Sequence, residues 1–354
     1  MKLYGKDFDK RELLERVGDI SQIGGACPAT LRGGRKEGVD VINVKTGSGL
    51  AFTIVPSRCL DISNMSYKGI PISFISKTGM SAPEYYETDY DGFHRSFFAG
   101  MLTTCGLRNT GAGNMDNGEY FGLHGRISNT PAENVCVNQE WLGNEFRIKI
   151  RGSMRESKLY GENLLLERTI ETKLGANTVS ITDTLTNEGF RSEGVMILYH
   201  CNFGFPFLDR STRIWFSEGT VIPRDSTAAE ALSGCAEAED PQTDFPETVF
   251  FHDIKPDRDG YASAVIFNTE LPEGGFGVKI RYKKDTLPYL IQWKNMMKGD
   301  YVMALEPSNS YPIGRKETKE NHMLQVLGAG ESVTYQVELQ ILDSVNGIMQ
   351  SGVL

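Results

Sequence analysis

The chain has 354 residues, 40% of them hydrophobic, enough to build a substantial core without metal or disulfide staples. Its 46 acidic against 37 basic side chains give a formal charge of −9, which argues against the broad basic surface of a nucleic-acid binder. The opening MKLYGKDFDKRELLERVGD lacks the apolar stretch of a signal peptide, no window approaches a membrane span, and the six cysteines form no Cys-x-x-Cys pair. A cytoplasmic, reduced protein is therefore expected, with no membrane and no nucleic-acid partner.

Helix signals are confined to residues 9–17, where Asp9 and Glu12 have capping-box spacing and Leu13, Leu14 and Val17 share a face. Strand patterns dominate from there. DVINVKTGSGLAFTIVP (40–56) predicts a hairpin closed by Gly-Ser-Gly. EFRIKIR alternates, with Phe146, Ile148 and Ile150 on one face, and TVSITDTLTNEG continues the style. The later runs GVMILYHCNFG, SAVIFNT, GFGVKIRYKK, YLIQWK, YVMALEP and SVTYQVELQIL have Gly and Asn rather than helices between them. That pattern predicts an all-β antiparallel sandwich. The weakly patterned, acidic stretch 209–253 reads as an excursion at the sandwich edge. Residues 1–20 are expected to form a short helical segment and 21–354 one β domain.

Three stretches carry chemistry. In LHGR (123–126), flanking glycines let backbone approach a ligand, and an extended conformation would put His124 and Arg126 on one face, a donor pair for an oxygen-rich ligand. In LYHCNFG (198–204), alternation turns His200 and Asn202 away from the core-facing Tyr199, Cys201 and Phe203, and separates the Cys201 thiol from His200. In YVMALEPS (301–308), Glu306 shares a face with Val302 and the small Ala304, and Pro307 holds the preceding residue extended. A partly buried carboxylate there is suited to proton transfer near neutral pH.

In this order, LHGR, YHCNFG and ALEPS resemble the motifs of the aldose 1-epimerase (galactose mutarotase-like) superfamily, in an aldose-epimerase-like branch. VPSRCLDIS, AGMLTTCGLRNTG and LGAGESVTYQVELQI extend the resemblance over roughly residues 20–345. It implies a galactose mutarotase-like supersandwich and an isomerase that interconverts sugar anomers by ring opening and reclosure. The implied roles are Glu306 as base, His200 as acid and His124 as hydrogen-bond donor. Arg126 and Arg58 would bind hydroxyls, Asp61 and Gln292 would make further contacts, and Trp293 would stack on a sugar face. Paired proton transfer of this kind is expected to use groups on opposite sides of the anomeric centre.

Three departures from the family pattern matter. The family's Asn-Arg-Ile segment, whose Arg contacts the sugar, reads TTCGL here, so that role would fall to Arg58 or Arg126. The second glycine of Leu-His-Gly-Gly is Arg126, a charge that would favour an acidic or sulfonated sugar. The sugar-contacting Asp has no counterpart by eye in the divergent region before Asp253. No organic cofactor is implied. Two His and one Glu match a facial metal site, but the His-x-His clustering of metal barrels is missing, so no metal is expected. The partner is then a small carbohydrate, with a homodimer as a further possibility for the assembly. The competing readings are an epimerase of a sugar phosphate or sugar acid, and a carbohydrate-binding or sensing protein without turnover.

Overall fold

Alternation of apolar and polar residues, read along EFRIKIR and its neighbours, becomes a two-layer antiparallel sandwich in a computed structural model that describes residues 1–343 and 347–348. The last part of the expected 21–354 domain, residues 344–346 and 349–354, lies outside the described residues. Phe146, Ile148 and Ile150 are all buried in the Glu145–Ser157 strand, with exposed Arg147 and Arg151 on the other face.

One layer is an eight-stranded sheet. Its order is Glu133–Leu142, Glu145–Ser157, Asn163–Lys173, Thr178–Asn187, Ser332–Leu342, Phe276–Lys283, Tyr261–Asn268 and Arg213–Phe216. The facing layer runs Gly219–Pro223, Thr248–Ile254, Tyr289–Met297, Asp300–Ser308, Glu193–Phe203 and Gln325–Leu327. Thr103–Leu107 pairs beside Glu193–Phe203 as its seventh strand. A five-stranded sheet built on the expected hairpin, Asp40–Lys45 with Leu50–Val55, joins this layer through bridges such as Ile62↔Leu102.

The main core lies between the layers, where Tyr335, Val337 and Leu339 meet Tyr199, Cys201, Phe203, Met303 and Leu305. A smaller apolar cluster of Phe93, Phe97, Leu198, Val249, Phe251 and Ile291 sits on the outward face of the seven-stranded sheet. Its members are buried, with Phe93 and Phe97 supplied by the segment that packs over the sheet.

The expected N-terminal helix is shorter than its pattern, Lys10–Leu14, with both halves of the Asp9–Glu12 capping box formed. Leu3 and Leu13 join the main core. The 209–253 stretch is more ordered than expected. It supplies the edge strands Arg213–Phe216 and Gly219–Pro223, the helix Ser226–Glu230, and most of the inner strand Thr248–Ile254. Among the described residues, no helix is long and apolar enough to cross a membrane.

Behind the site the layers are fastened by a buried ion network. Arg168, on the eight-stranded sheet, pairs with Asp183 at 2.6 Å and with Asp61 at 3.0 Å. Its guanidinium also donates to the Thr104 hydroxyl at 2.8 Å, and the Tyr199 hydroxyl donates to Asp183 at 2.7 Å. Five side chains from three sheets thus satisfy one another, the condition under which buried charge is tolerated.

Candidate active site

Strand register assembles the site. Glu193–Phe203 pairs with Asp300–Ser308 so that Leu198 faces Ser308 and Cys201 faces Leu305, which puts His200 across from Glu306. On the next strand Ile291 is opposite Glu306 and Trp293 opposite Ala304, and one strand further Val249 is opposite Trp293. Side chains alternate, so His200, Glu306, Ile291, Trp293 and Val249 all rise from the outward face. They floor a cavity of about 630 Å³, walled by Phe93, Phe97, His124, Arg224 and Glu247.

His200 Nε2 lies 3.2 Å from Glu306 Oε1, with the two residues 5% and 2% exposed. The sequence-based expectation of groups flanking an anomeric centre gives way here to two groups in direct contact on neighbouring strands. The approach is not an aligned hydrogen bond. Among the described residues, Glu306 Oε1 and His200 Nδ1 have no hydrogen-bond partner. Burial pushes the Glu306 carboxyl well above its usual range, and the negative Glu247 adds to the shift. Burial pulls the His200 imidazole well down, helped by His124. Both groups are thereby driven to their neutral forms, with a proton on Glu306 and none to spare on His200.

The LHGR segment is a turn, not a strand. His124 and Gly125 take left-handed backbone angles, φ 56° and 68°. A side chain at Gly125 would collide with the carbonyl oxygen of Gly106 2.2 Å away, which explains the glycine. The turn is held by Gly106, whose N–H donates to the His124 carbonyl, while the Arg126 N–H donates to the Gly106 carbonyl. Half-buried His124 accepts a hydrogen bond at Nδ1 from the Gly111 N–H at 3.3 Å, which assigns its own proton to Nε2. Burial, with His94 contributing, lowers its pKa to about 4, so it is a neutral donor. Its ring sits 5.7 Å from that of His200 and 5.1 Å from Phe93.

The structure brings together His124, His200, Glu306 and Trp293. Trp293 forms a wall with its ring 5.5 Å from His200, and its indole N–H donates to Glu247 at 3.0 Å. Four other residues expected at the ligand lie elsewhere, each for a physical reason. The Arg58 guanidinium is 1% exposed and spent on the carbonyls of Ser81, Ser96 and Ser128, pinning the loops behind the cavity. Asp61 belongs to the Arg168 network. Gln292 points from the opposite face of the strand that carries Trp293 and bonds His252 at 3.0 Å. Arg126, two residues past His124 around the turn, faces a different cavity.

Residues missed from sequence take their place. Arg224 and Glu247, 3.1 Å apart, close one side of the cavity from within the supposed excursion. The run TVFFHDI directly after Glu247 was the available signal, a β-rich heptad starting inside the stretch set aside. Among the described residues, no three His, Cys, Asp or Glu side chains are grouped to hold a metal ion.

A family model described as "Domain of unknown function (DUF4432)" matches residues 36–341. The chain belongs to the DUF4432 family. No curated protein sequence matches the DUF4432 chain. Among solved structures, it is similar to a Klebsiella pneumoniae protein whose name, aldose 1-epimerase, is provisional. The two share 25% identity over 92% of this chain and 85% of that one, at a TM-score of 0.86. A galactose mutarotase-like protein from Clostridium acetobutylicum aligns at 15% identity and TM-score 0.63, over 90% of this chain and 99% of that one. Galactose 1-epimerase from Lactobacillus acidophilus aligns at 11% and 0.57, over 89% and 98%. These likenesses establish the galactose mutarotase-like β-sandwich anticipated from the motifs.

Proposed function

We propose that this DUF4432 protein interconverts the anomers of a neutral aldose at the His200–Glu306 pair. The observation that carries the proposal is the 3.2 Å contact of two buried, oppositely shifted proton-transfer groups on the floor of an aromatic-walled cavity. The ring oxygen and the anomeric oxygen of a sugar are bonded to the same carbon, so two groups in mutual contact reach both.

Starting from protonated Glu306 and neutral His200, the carboxyl protonates the ring oxygen while His200 accepts the anomeric hydroxyl proton. The bond from C1 to the ring oxygen breaks and a carbonyl forms. After rotation about C1–C2, the imidazolium returns its proton to the carbonyl oxygen and the carboxylate takes one from the attacking hydroxyl, restoring the pair. In the opening half, then, Glu306 is acid and His200 base, the reverse of the motif-based assignment. In closure the two exchange acid and base roles, with Glu306 still working at the ring oxygen and His200 at the anomeric oxygen. His124 Nε2–H supplies a neutral donor, and Trp293 a face for the apolar side of the sugar.

A neutral substrate follows from the walls. Arg224 is balanced by Glu247 and Asp225 at 3.1 and 2.7 Å, and Arg126, which had suggested an acidic sugar, is outside the cavity. All six cysteines are free thiols, in keeping with a cytoplasmic enzyme. Saturation-transfer NMR over a panel of aldoses tests the reading: anomeric exchange above the spontaneous rate for at least one sugar is expected. Binding without such exchange would leave a carbohydrate-binding protein and remove the enzyme.

A further inference from the structure

The reverse side of the His124 turn lines a second cavity of about 560 Å³. Leu123 and His124 face the first cavity, while Gly122, Gly125 and Arg126 face the second. The partition is bare backbone at both glycines, whose added side chains would strike Thr88 or Gly106 and Asn109. The turn is also tied from behind, since the Tyr86 hydroxyl donates to the Gly125 carbonyl at 2.9 Å.

Charge in this second cavity is nearly, but not wholly, compensated. Arg108 pairs with Glu119, Glu162 and Glu193 at 3.1–3.3 Å, and Lys158 pairs with Glu119 at 3.1 Å. Glu156 is 6% exposed and accepts the Leu107 N–H at 3.1 Å; burial raises its pKa, which favours a protonated donor over an anion. Exposed Arg126 forms no salt bridge among the described residues and has the Tyr86 phenol beside it. What remains is the Arg126 guanidinium, which has no carboxylate partner among the described residues, the exposed Asp89 carboxylate, the Glu156 carboxyl and a set of hydroxyls from Tyr86, Thr88, Tyr120 and Ser157 around a space large enough for a monosaccharide.

We propose that this cavity is a second ligand site, for a small polyhydroxylated anion whose carboxylate or phosphate oxygens are held by Arg126. A planar guanidinium without a carboxylate partner can engage either group in bidentate fashion, and the surrounding hydroxyls and the Asp89 carboxylate match the hydroxyls of a polyol. The site stands apart from the proton-transfer pair and does not depend on the function proposed for it.

Titration calorimetry on the full chain, with gluconate, glucose 6-phosphate and glucose as probes, tests this. At least one anion should bind the wild type, and the two anions separate carboxylate from phosphate recognition. Arg126→Gln, an exposed change that leaves the fold intact, should weaken that binding at least tenfold and leave glucose binding unaltered. Trp293→Ala, which strips a wall from the first cavity, should bind the anion as the wild type does. The proposal is overturned if neither anion binds, if Arg126→Gln binds with wild-type affinity, or if Trp293→Ala weakens anion binding and so moves the ligand to the first cavity.

Discussion

His200 and Glu306 meet across adjacent antiparallel strands with Nε2 and Oε1 3.2 Å apart, each removed from water and each with a polar atom that has no hydrogen-bond partner among the described residues. Leaving such atoms unsatisfied costs on the order of 1–3 kcal/mol apiece, a cost that a ligand's hydroxyls would offset. The pair is therefore poor as a structural element and well suited to receive a polar guest.

Glu306→Gln keeps the shape and removes the proton. Anomeric exchange should fall at least about 100-fold while sugar binding persists. Stability moves the other way. A carboxyl whose folded pKa lies above its unfolded value stabilises the fold below about 4.5 and loses that contribution as pH rises towards the folded value. The variant should thus gain Tm relative to wild type between pH 5 and 8, by an increment that grows with pH. A variant with wild-type exchange would sink the assignment.

Acid should unfold the protein through its buried imidazoles. His252, 4% exposed and stacked on Phe216 at 4.0 Å, has a pKa lowered to about 4 by burial. A His depressed from 6.5 stabilises the fold fully above that value and loses the contribution as pH falls towards 4, on the order of 3 kcal/mol in all. Urea midpoints measured from pH 7 to pH 4 should decline along this window, and His252→Gln should flatten part of the decline. An unchanged slope in the variant would reassign the acid limb to other groups.

Arg168→Met leaves Asp61 and Asp183 facing each other without their cation, and should cost about 3–5 kcal/mol in denaturant unfolding. Because Tyr199 of the same network precedes His200 on its strand, loss of exchange should accompany the loss of stability. A stable, fully active variant would show that the network is dispensable.

Trp293→Ala removes an aromatic side of the cavity and the indole donor to Glu247, which keeps its pairing with Arg224. The sugar dissociation constant should rise about tenfold, whereas Trp293→Phe should recover much of the affinity. Equilibrium binding monitored by NMR distinguishes the two, and equal affinities for all three proteins would remove Trp293 from the ligand.

Regular alternation made much of this legible. LYHCNFG and YVMALEPS carry a period of two, so the outward faces of His200 and Glu306 could be read from sequence, and Trp293 followed on the neighbouring strand. LHGR could not be read this way. Its left-handed angles at His124 and Gly125 depend on Gly106, a partner 18 residues earlier, so an extended reading sent Arg126 to the wrong side. Arg58 and Asp61 misled for a different reason: a charge in an apolar setting looks the same in sequence whether it meets a ligand or a buried partner. The partners, Arg168 and three serine carbonyls, lie from 23 to 107 residues away. Arg224 and Glu247 were lost with a stretch dismissed for its composition, although TVFFHDI inside it had strand character.

The origin of those last two residues has a consequence for how such a protein diversifies. The proton-handling floor is woven from central strands, where any insertion would shift register and turn side chains over. The Arg224–Glu247 rim is delivered by a passage that gives an edge strand to each layer and enters the floor at Val249. Exchanging that passage would therefore alter what the cavity accepts and, through Glu247, the setting of the Glu306 carboxyl at the same time.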